Sequence, residues 1–477
     1  MRGRLLGVPA PGRLSKNEVR ALCIVGFVSH MILQPFLFWQ FSLIELVGFS
    51  YGSVDLRSVT TIANNIAFPL AIIALGVSYR FWGSRPALSA KSLVIIMLVC
   101  FLLGMGLAVF APFMTFASDS VIVATFGTFI GVGCAVGIFL WQQVLFCQGT
   151  SGAIMIQVSG TAIAGVLYFA VRWLPNPLVL LSSAFVFLPV SAGLLLYLRP
   201  LYEDRPTPRF LKKSVKRLSA FLKRNAGALL SIVFMGYAWG LFYEFAAIVS
   251  GGPFLSDLFS FGRIVTGALL GAYALRFRSY PSMGLFVKVA LPVCITAVVL
   301  MPLIDQAHFF FLAGVFYVVF GLSSVVLMLS CNDAARSYSM HPALVYCSVL
   351  GLFYLMQVLG YLTGPVVWPD ASDILGTTER LVIALVIVYG LSVLGLLFAF
   401  SMSKRKEQVV KQEDAPFKKY AFTDREVEVV RLLLKGRDVA HIGKMLVLSE
   451  NTVRFHMKNI YAKAGVHSKQ ELLDLFD

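Results

Sequence analysis

The stretch FTDREVEVVRLLLKGRDVAHIGKMLVLSENTVRFHMKNIYAKAGVHSKQELLDLF, Phe422–Phe476, divides by its own punctuation into four helices. Thr423-x-x-Glu426 is a capping box, in which Thr423 accepts from a free backbone N–H and Glu426 reaches back. The helix it opens carries Val427, Val430, Leu433 and Leu434 on one side and stops at Gly436, a C-terminal glycine. Asp438 caps a short second helix that buries Ile442 and Leu446. Ser449 caps a third, running through Lys463, with Val453, Met457 and Ile460 at helical spacing facing inward. Gly465 ends it, and Ser468-x-x-Glu471 opens a fourth helix with Leu472, Leu473 and Phe476. A helix, a tight turn and a second helix with a polar outward side present a recognition helix to a major groove.

The segment resembles the C-terminal DNA-binding domain of the LuxR family of bacterial transcription regulators. The matching residues are Thr423, Arg425, Glu426, Glu428, Val429, Leu432, Leu433, Gly436, Ile442, Leu446, Ser449, Thr452, Val453, His456, Ile460, Lys463, Gly465, Val466, Glu471, Leu472 and Leu473, in the family's order and spacing without a gap. The resemblance implies a four-helix module whose third helix enters the major groove and whose fourth makes a dimer contact, so Leu472, Leu473 and Phe476 are candidates for that contact. Arg454, Phe455 and Lys458 fall where the family's base-reading side chains sit. Arg454 and Lys458 lie one turn apart, away from the inward stripe. Both can donate to guanine O6 and N7, while Phe455 touches only apolar groups such as a thymine methyl. Asn451, Thr452 and His456 are expected to position the backbone. Ala440, His441 and Gly443 depart from the family's usual second helix. The alternative is a helical protein-docking unit, since the segment holds nearly as many acids as bases.

Working outward, the rest of the chain is of another kind. Of 477 residues, 58% are hydrophobic and only 13% charged, about half the charge of a soluble globular chain, and mean hydropathy is +0.81. A polytopic membrane protein follows. Its seven cysteines lie in apolar stretches with no CxxC spacing, which points to reduced core residues rather than a disulfide frame or zinc site. No cofactor or metal is expected. The basic N-terminus lacks a cleavage signature, and the apolar run behind it is too long for a signal peptide, so it is expected to be retained.

Apolar runs of spanning length, about 20 residues, recur at roughly 20–42, 58–79, 92–112, 120–141, 153–171, 178–198, 226–248, 258–275, 286–304, 309–331, 344–368 and 381–402. The expected class is therefore all-α: a bundle of about twelve spans in two six-helix halves, followed by the four-helix domain. Domains are expected at 1–402, with a central loop at 199–225, a linker at 403–414 and the DNA-binding module at 415–477. Arg2, Arg4, Arg13, Arg80, Arg85, Lys91, Arg276, Arg278, Arg336, Lys404, Arg405, Lys406 and the basic loop all fall on one side. The opposite loops hold Arg57, Arg172 and Arg380 among several acids. Such asymmetry predicts both termini in the cytoplasm of a bacterial cell, with the bundle in its inner membrane.

Six spans, a long basic loop and six more resembles the layout of the major facilitator superfamily, whose halves rock about a central cavity. The superfamily's usual loop after the second span is absent: YRFWGSRPALSAK (79–91) has Gly83 and Arg85 but no acid. That departure argues against an efficient pump.

Polar groups inside spans are costly and by default suggest a cavity. At ~1.5 Å per residue, Glu244 and Arg263 reach a similar outer depth on successive spans and are expected to pair. Gln34, Asn64 and Asn65 come out at like depth, His30 nearer the middle, and Trp239 and Tyr243 can stack on a planar ligand. A small, partly polar molecule entering from outside is the expected ligand, with Glu244, Arg263, Gln34, Asn64, Trp239 and Tyr243 as its contacts. A structural ion pair and interfacial aromatics are the plainer alternative. No GxxxxGK[ST], HExxH or GxSxG occurs, so no enzyme is expected. The sequence thus predicts a membrane-bound one-component transcription regulator whose partners are double-stranded DNA, the bilayer, an unidentified small molecule and, on DNA, a second copy. A transporter with an appended regulatory domain is the rival.

Overall fold

The computed structural model describes residues 15–38, 56–81, 89–110, 113–114, 118–174, 182–203, 208–250, 253–300, 306–367, 420–434, 436–446 and 449–476. They belong to two compact units, one within Met1–Gly395 and one within Leu396–Asp477. Every element among them is helical.

In the larger unit the apolar runs become α1 (Lys16–Met31), π1 (Gln34–Phe38), α2 (Leu56–Phe81), α3 (Ala90–Phe110), α4 (Asp119–Cys147), α5 (Gly149–Arg172), π2 (Ser183–Phe187) and α6 (Leu188–Tyr197). A one-turn α7 (Arg199–Tyr202) and the basic α8 (Pro208–Arg224) precede α9 (Ala226–Ser250), α10 (Pro253–Phe277), α11 (Met283–Leu300), α12 (Gln306–Ser337) and α13 (Pro342–Val367). A helix satisfies its backbone internally, the condition for sitting in hydrocarbon. Eight helices among the described residues are long and apolar enough to cross a membrane, or nine if the bent pair α8–α9 counts as one. α6 and α11 occupy two more of the expected runs, and the run at 381–402 lies outside the described residues. Pro35 falls within π1, Pro189 is the second residue of α6, just past π2, and Pro69 and Pro292 lie inside α2 and α11. Disturbed backbone ladders are where a membrane helix accommodates proline.

Two seams join the first half (α1–α6) to the second (α9–α13). α2 packs on α13, and α5 packs on α10. Small residues bring the α5–α10 backbones together: a Cβ built at Gly165 would lie 2.7 Å from the Ser260 carbonyl, and one at Gly267 would lie 2.4 Å from Ala162 Cβ. Inside the second half, α9 and α13 approach just as closely. Gly236 and Gly240, four residues apart on α9, face the Phe353 and Gln357 carbonyls at 2.4 and 2.0 Å from a built Cβ. This small-xxx-small pattern substitutes backbone contact for the hydrophobic drive that lipid does not supply. All seven cysteines are free thiols; six are buried and Cys147 is exposed.

The smaller unit holds α14 (Asp424–Leu434), α15 (Val439–Leu446), α16 (Glu450–Ala464) and α17 (Lys469–Phe476). Val429, Val430, Leu432, Leu433, Ile442, Val453, Ile460 and Leu472 close its core. The inward face of α14 is thus centred on Val429, Val430, Leu432 and Leu433, with Val427 and Leu434 at its margins. The caps are as the punctuation indicates. Thr423 Oγ1 accepts from Glu426 N, and Glu426 accepts from Thr423 N at 2.8 Å. Asp438 accepts from His441 N at 2.7 Å, and Ser449 accepts from Thr452 N at 3.1 Å. Gly465 takes φ +71, a left-handed turn that only glycine adopts freely. At the fourth helix Ser468 caps Glu471 N, but Glu471 reaches back one residue further than a standard box, to His467 N.

Candidate nucleic-acid interface and ligand site

α16 has two unlike faces. Val453 and Ile460 are fully buried and Met457 packs beside them. The other face holds Asn451, Arg454, Phe455 and Lys458, all exposed, with Thr452 and His456 half-exposed. Phe455 is 61% exposed, an expense in water for a ring that among the described residues meets only the edge of His456. Arg454 is held by Glu450 one turn earlier at 3.2 Å, an exposed pair. Thr452 shares its hydroxyl with Ser449 at 2.8 Å, so it also serves the cap. The six residues expected to contact DNA therefore lie away from the core-facing stripe, with Arg454, Phe455 and Lys458 farthest from it.

Several matching residues hold this face in place rather than display it. Lys463, at the end of α16, bonds Glu426 Oε2 at 2.6 Å, and Arg425 donates to the Leu446 carbonyl at 2.9 Å. Burial raises the Glu426 pKa, but the Lys463 ammonium and the Thr423 cap outweigh it and hold the carboxyl below its usual range. A depressed carboxylate contributes stability that is complete above the unfolded value, near 4.5, and lost as pH falls through the folded one. Glu426→Gln is expected to destabilise this unit by about 2 kcal/mol at pH 7 and to flatten its acid limb. Every core member lies within 422–476, so urea denaturation of a 415–477 fragment at pH 7 and pH 4 measures both effects. An unchanged acid limb would clear Glu426 of this role.

On the fourth helix one expectation is corrected. Leu472 has no exposed surface, because an eight-residue helix turns only one of two adjacent leucines inward, and it belongs to the core instead of a dimer face. Leu473 and Phe476 are half-exposed, Phe476 lying edge-on to Tyr420 at 5.6 Å. Leu475, which periodicity did not single out, is 42% exposed.

In the membrane unit, Arg263 on α10 is buried and donates to the Met31 carbonyl at 2.8 Å and to Gln34 Oε1. The expected partner, Glu244, lies on α9, and its side chain is outside those described. Among the described residues Arg263 is satisfied across the two halves, on a carbonyl at the end of α1. Its guanidinium also covers Phe259 at 4.3 Å. Phe259 contacts Tyr317, and Tyr317 meets Trp239 edge-on at 5.0 Å. Gln34, Arg263 and Trp239 are thereby brought into one contiguous group. Trp239 is 1% exposed and stacked with Phe242, Phe316 and Phe320. Tyr243 is buried against Tyr361, and Asn64 is buried where α2 meets Gly131 of α4. Of the expected ligand contacts, Asn64, Trp239, Tyr243 and Arg263 are buried and Gln34 is half-buried.

Both ends of the bundle are tied. Beside Arg263, Asp257 of α10 accepts from Tyr168 of α5 at 2.7 Å and lies 3.7 Å from Arg172. At the end where α1 begins, Arg336 of α12 donates to the Phe146 carbonyl at 2.6 Å and to Thr150 at 3.0 Å, while Asp333 accepts from Thr150 and Tyr280. Between these ties, Gln142 and Gln157 of the first half both donate to Met328 Sδ of the second, at 3.2 and 3.0 Å. Sulfur is a weak acceptor, and both amide oxygens, like the two nitrogens of buried His30, find no partner among the described residues. The glutamines escaped the sequence reading, although amides in apolar runs are themselves a signal.

A capped helix-turn-helix with a polar crest, beside a polytopic bundle, defines a DNA-binding class of domain joined to a membrane fold. Residues 420–476 match the family described as bacterial regulatory proteins, luxR family, and this segment is a LuxR-type helix-turn-helix domain. Over 52 residues the chain is 44% identical to the Fimbriae Z protein of Escherichia coli strain K12, and over 51 residues 39% identical to the Regulatory protein SdiA of the same strain. Each match covers 11% of this chain, and 25% and 21% of those proteins. The chain thus spans a quarter or less of these relatives. For most of the chain the likeness is to solved transporters. A POT family transporter in complex with 5-aminolevulinic acid aligns at TM-score 0.52 and 10% identity, covering 83% of this chain and 98% of that one. Another, in complex with a thioalcohol conjugated peptide, aligns at 0.50 and 9%, covering 81% and 96%. The membrane unit has that transporter-like fold.

Proposed function

We propose that this protein is a membrane-bound one-component transcription regulator, its bundle sensing a small molecule and its C-terminal domain binding promoter DNA. The observation that carries this reading is the row Arg454, Phe455 and Lys458, left bare on a helix whose opposite face builds the core. A row of two cations and an exposed ring suits guanine edges and thymine methyls, and Asn451, Thr452 and His456 flank it as phosphate contacts. One such helix reads few base pairs, so a dimer on paired half-sites completes the reading, with Leu473, Leu475 and Phe476 as the surface available for it. The basic loops support a cytoplasmic position for the end of the bundle where α1 begins, and for both termini.

On the sensing side, Gln34, Asn64, Trp239, Tyr243, Glu244 and Arg263 remain the proposed contacts. Ties at both ends support a two-state element: a ligand that competes for Arg263 or Gln34 favours one arrangement by the difference in its affinity for the two. DNase footprinting of the full chain in nanodiscs, on DNA upstream of its own gene, is expected to show two protected half-sites about one helical turn apart. No protection on any native promoter fragment would remove the reading. The transporter-like fold favours a second reading, in which the bundle carries its ligand across the membrane. Accumulation of substrate in sealed vesicles would select it.

A further inference from the structure

Helix α8 belongs to neither the DNA-binding face nor the sensing group, and it is the most polarised helix of the membrane unit. Its sequence, PRFLKKSVKRLSAFLKR, contains no acid. One side is closed against the bundle: Leu211, Ser214 and Leu218 are buried, and the helix packs on α2 of the first half and on α9 and α13 of the second. Three contacts fix it to the turn between α12 and α13. The backbone N–H of His341 donates to Ser214 at 3.2 Å, Arg217 donates to the Ser339 carbonyl at 2.9 Å, and Phe221 meets Tyr338 edge-on at 5.3 Å. The same turn reaches the first half, since His341 lies 4.8 Å from the Tyr79 ring of α2.

The other side carries Lys212, Lys213, Lys216, Lys223 and Arg224, all exposed. Among the described residues at this end, Glu203 is engaged by Arg199, Asp333 by Arg336, Thr150 and Tyr280, and Glu18 by the Ser15 cap. Orientation decides what these cations meet. A single residue, Asn225, separates α8 from α9, and the two helix axes differ by 79°. A helix nearly perpendicular to a span, joined to it at the span's first turn, lies in the plane of the bilayer at the level of its headgroups. Exposed Lys16, Lys91, Arg276 and Arg278 stand at the ends of neighbouring spans.

We propose that α8 is an anionic-phospholipid site, in which the headgroup phosphates of the leaflet engage Lys212, Lys213, Lys216 and Lys223. Because α8 touches both halves and clamps the α12–α13 turn, bound headgroups stabilise the arrangement in which that turn is clamped. The membrane's own charge thereby becomes a second input to the bundle, independent of the DNA-binding assignment.

The test uses the full chain in a neutral detergent and follows its melting midpoint while dioctanoyl phosphatidylglycerol or dioctanoyl phosphatidylcholine is added. Phosphatidylglycerol is expected to raise the midpoint saturably and phosphatidylcholine not, with 10 mM inorganic phosphate ineffective. A variant with Lys212, Lys213, Lys216 and Lys223 all changed to Gln is expected to need at least about tenfold more phosphatidylglycerol. The corresponding all-Arg variant retains the response and guards against a folding artefact. Equal shifts with both lipids, or an undiminished response in the all-Gln variant, would overturn the proposal. So would loss of non-specific duplex binding in that variant without loss of the lipid shift, since the cations would then serve DNA phosphates.

Discussion

Arg454→Ala and Lys458→Ala are each expected to weaken operator binding by about 1–3 kcal/mol, roughly five- to 150-fold, and to relax specificity at the base each one reads. The two side chains are exposed one turn apart on α16 and touch none of the core, so unfolding is not a route to the loss. Their backgrounds differ in one respect. Arg454 is tethered to Glu450, and that exposed pair must open before the guanidinium can reach a guanine. Glu450→Gln is therefore expected to strengthen binding to any duplex while leaving the preferred sequence unchanged. Fluorescence anisotropy of the full chain in nanodiscs, at two salt concentrations and on operators mutated singly, separates base reading from charge. If both alanine variants bind as tightly as the parent, the crest of α16 is not the reading surface.

Gly240→Ala is expected to cost the membrane unit about 3 kcal/mol. The added methyl would lie 2.0 Å from the Gln357 carbonyl oxygen and 2.6 Å from Tyr361 N, both backbone atoms of α13 that cannot rotate aside. The helices must separate, and in lipid they are held by close packing and by the Tyr237–Thr363 hydroxyl bond at 3.0 Å rather than by a hydrophobic drive. Gly106→Ala supplies the control, because a methyl there meets nothing within 4 Å and gains helix propensity. Melting of the two variants in detergent is expected to differ by many degrees. Equal midpoints would mean that the α9–α13 approach is looser than described.

How far the sequence alone reached differs between the two units, for a physical reason. Ser449, Asp438, Thr423 and Gly465 announce helix ends because capping acts over three or four residues, and all four stand where expected. The charged residues of the same segment were less transparent. Lys463 and Arg425 turned out to bind Glu426 and the Leu446 carbonyl, so part of the dense family match concerns stability and only part concerns DNA. Leu472 and Leu473 could not be told apart by periodicity in two turns of helix. In the bundle, the apolar runs were legible because length alone meets the bilayer's demand. The partner of Arg263 was not. Among the described residues its acceptors are a main-chain oxygen, Met31 O, and Gln34, 229 residues away. No pattern of side chains displays a carbonyl at a helix end. The glutamine pair on Met328 joins three helices through a sulfur, which hydrophobic patterning counts as apolar.

Just ahead of α14 the Tyr420 ring stacks on Phe422, and the Ala421 carbonyl accepts from Lys463 Nζ at 3.2 Å. Lys463 is the penultimate residue of α16, so the segment just ahead of α14 and the far tip of α16 are lashed together. A pull applied at Ala421 would reach that helix end directly, without having to travel through the core.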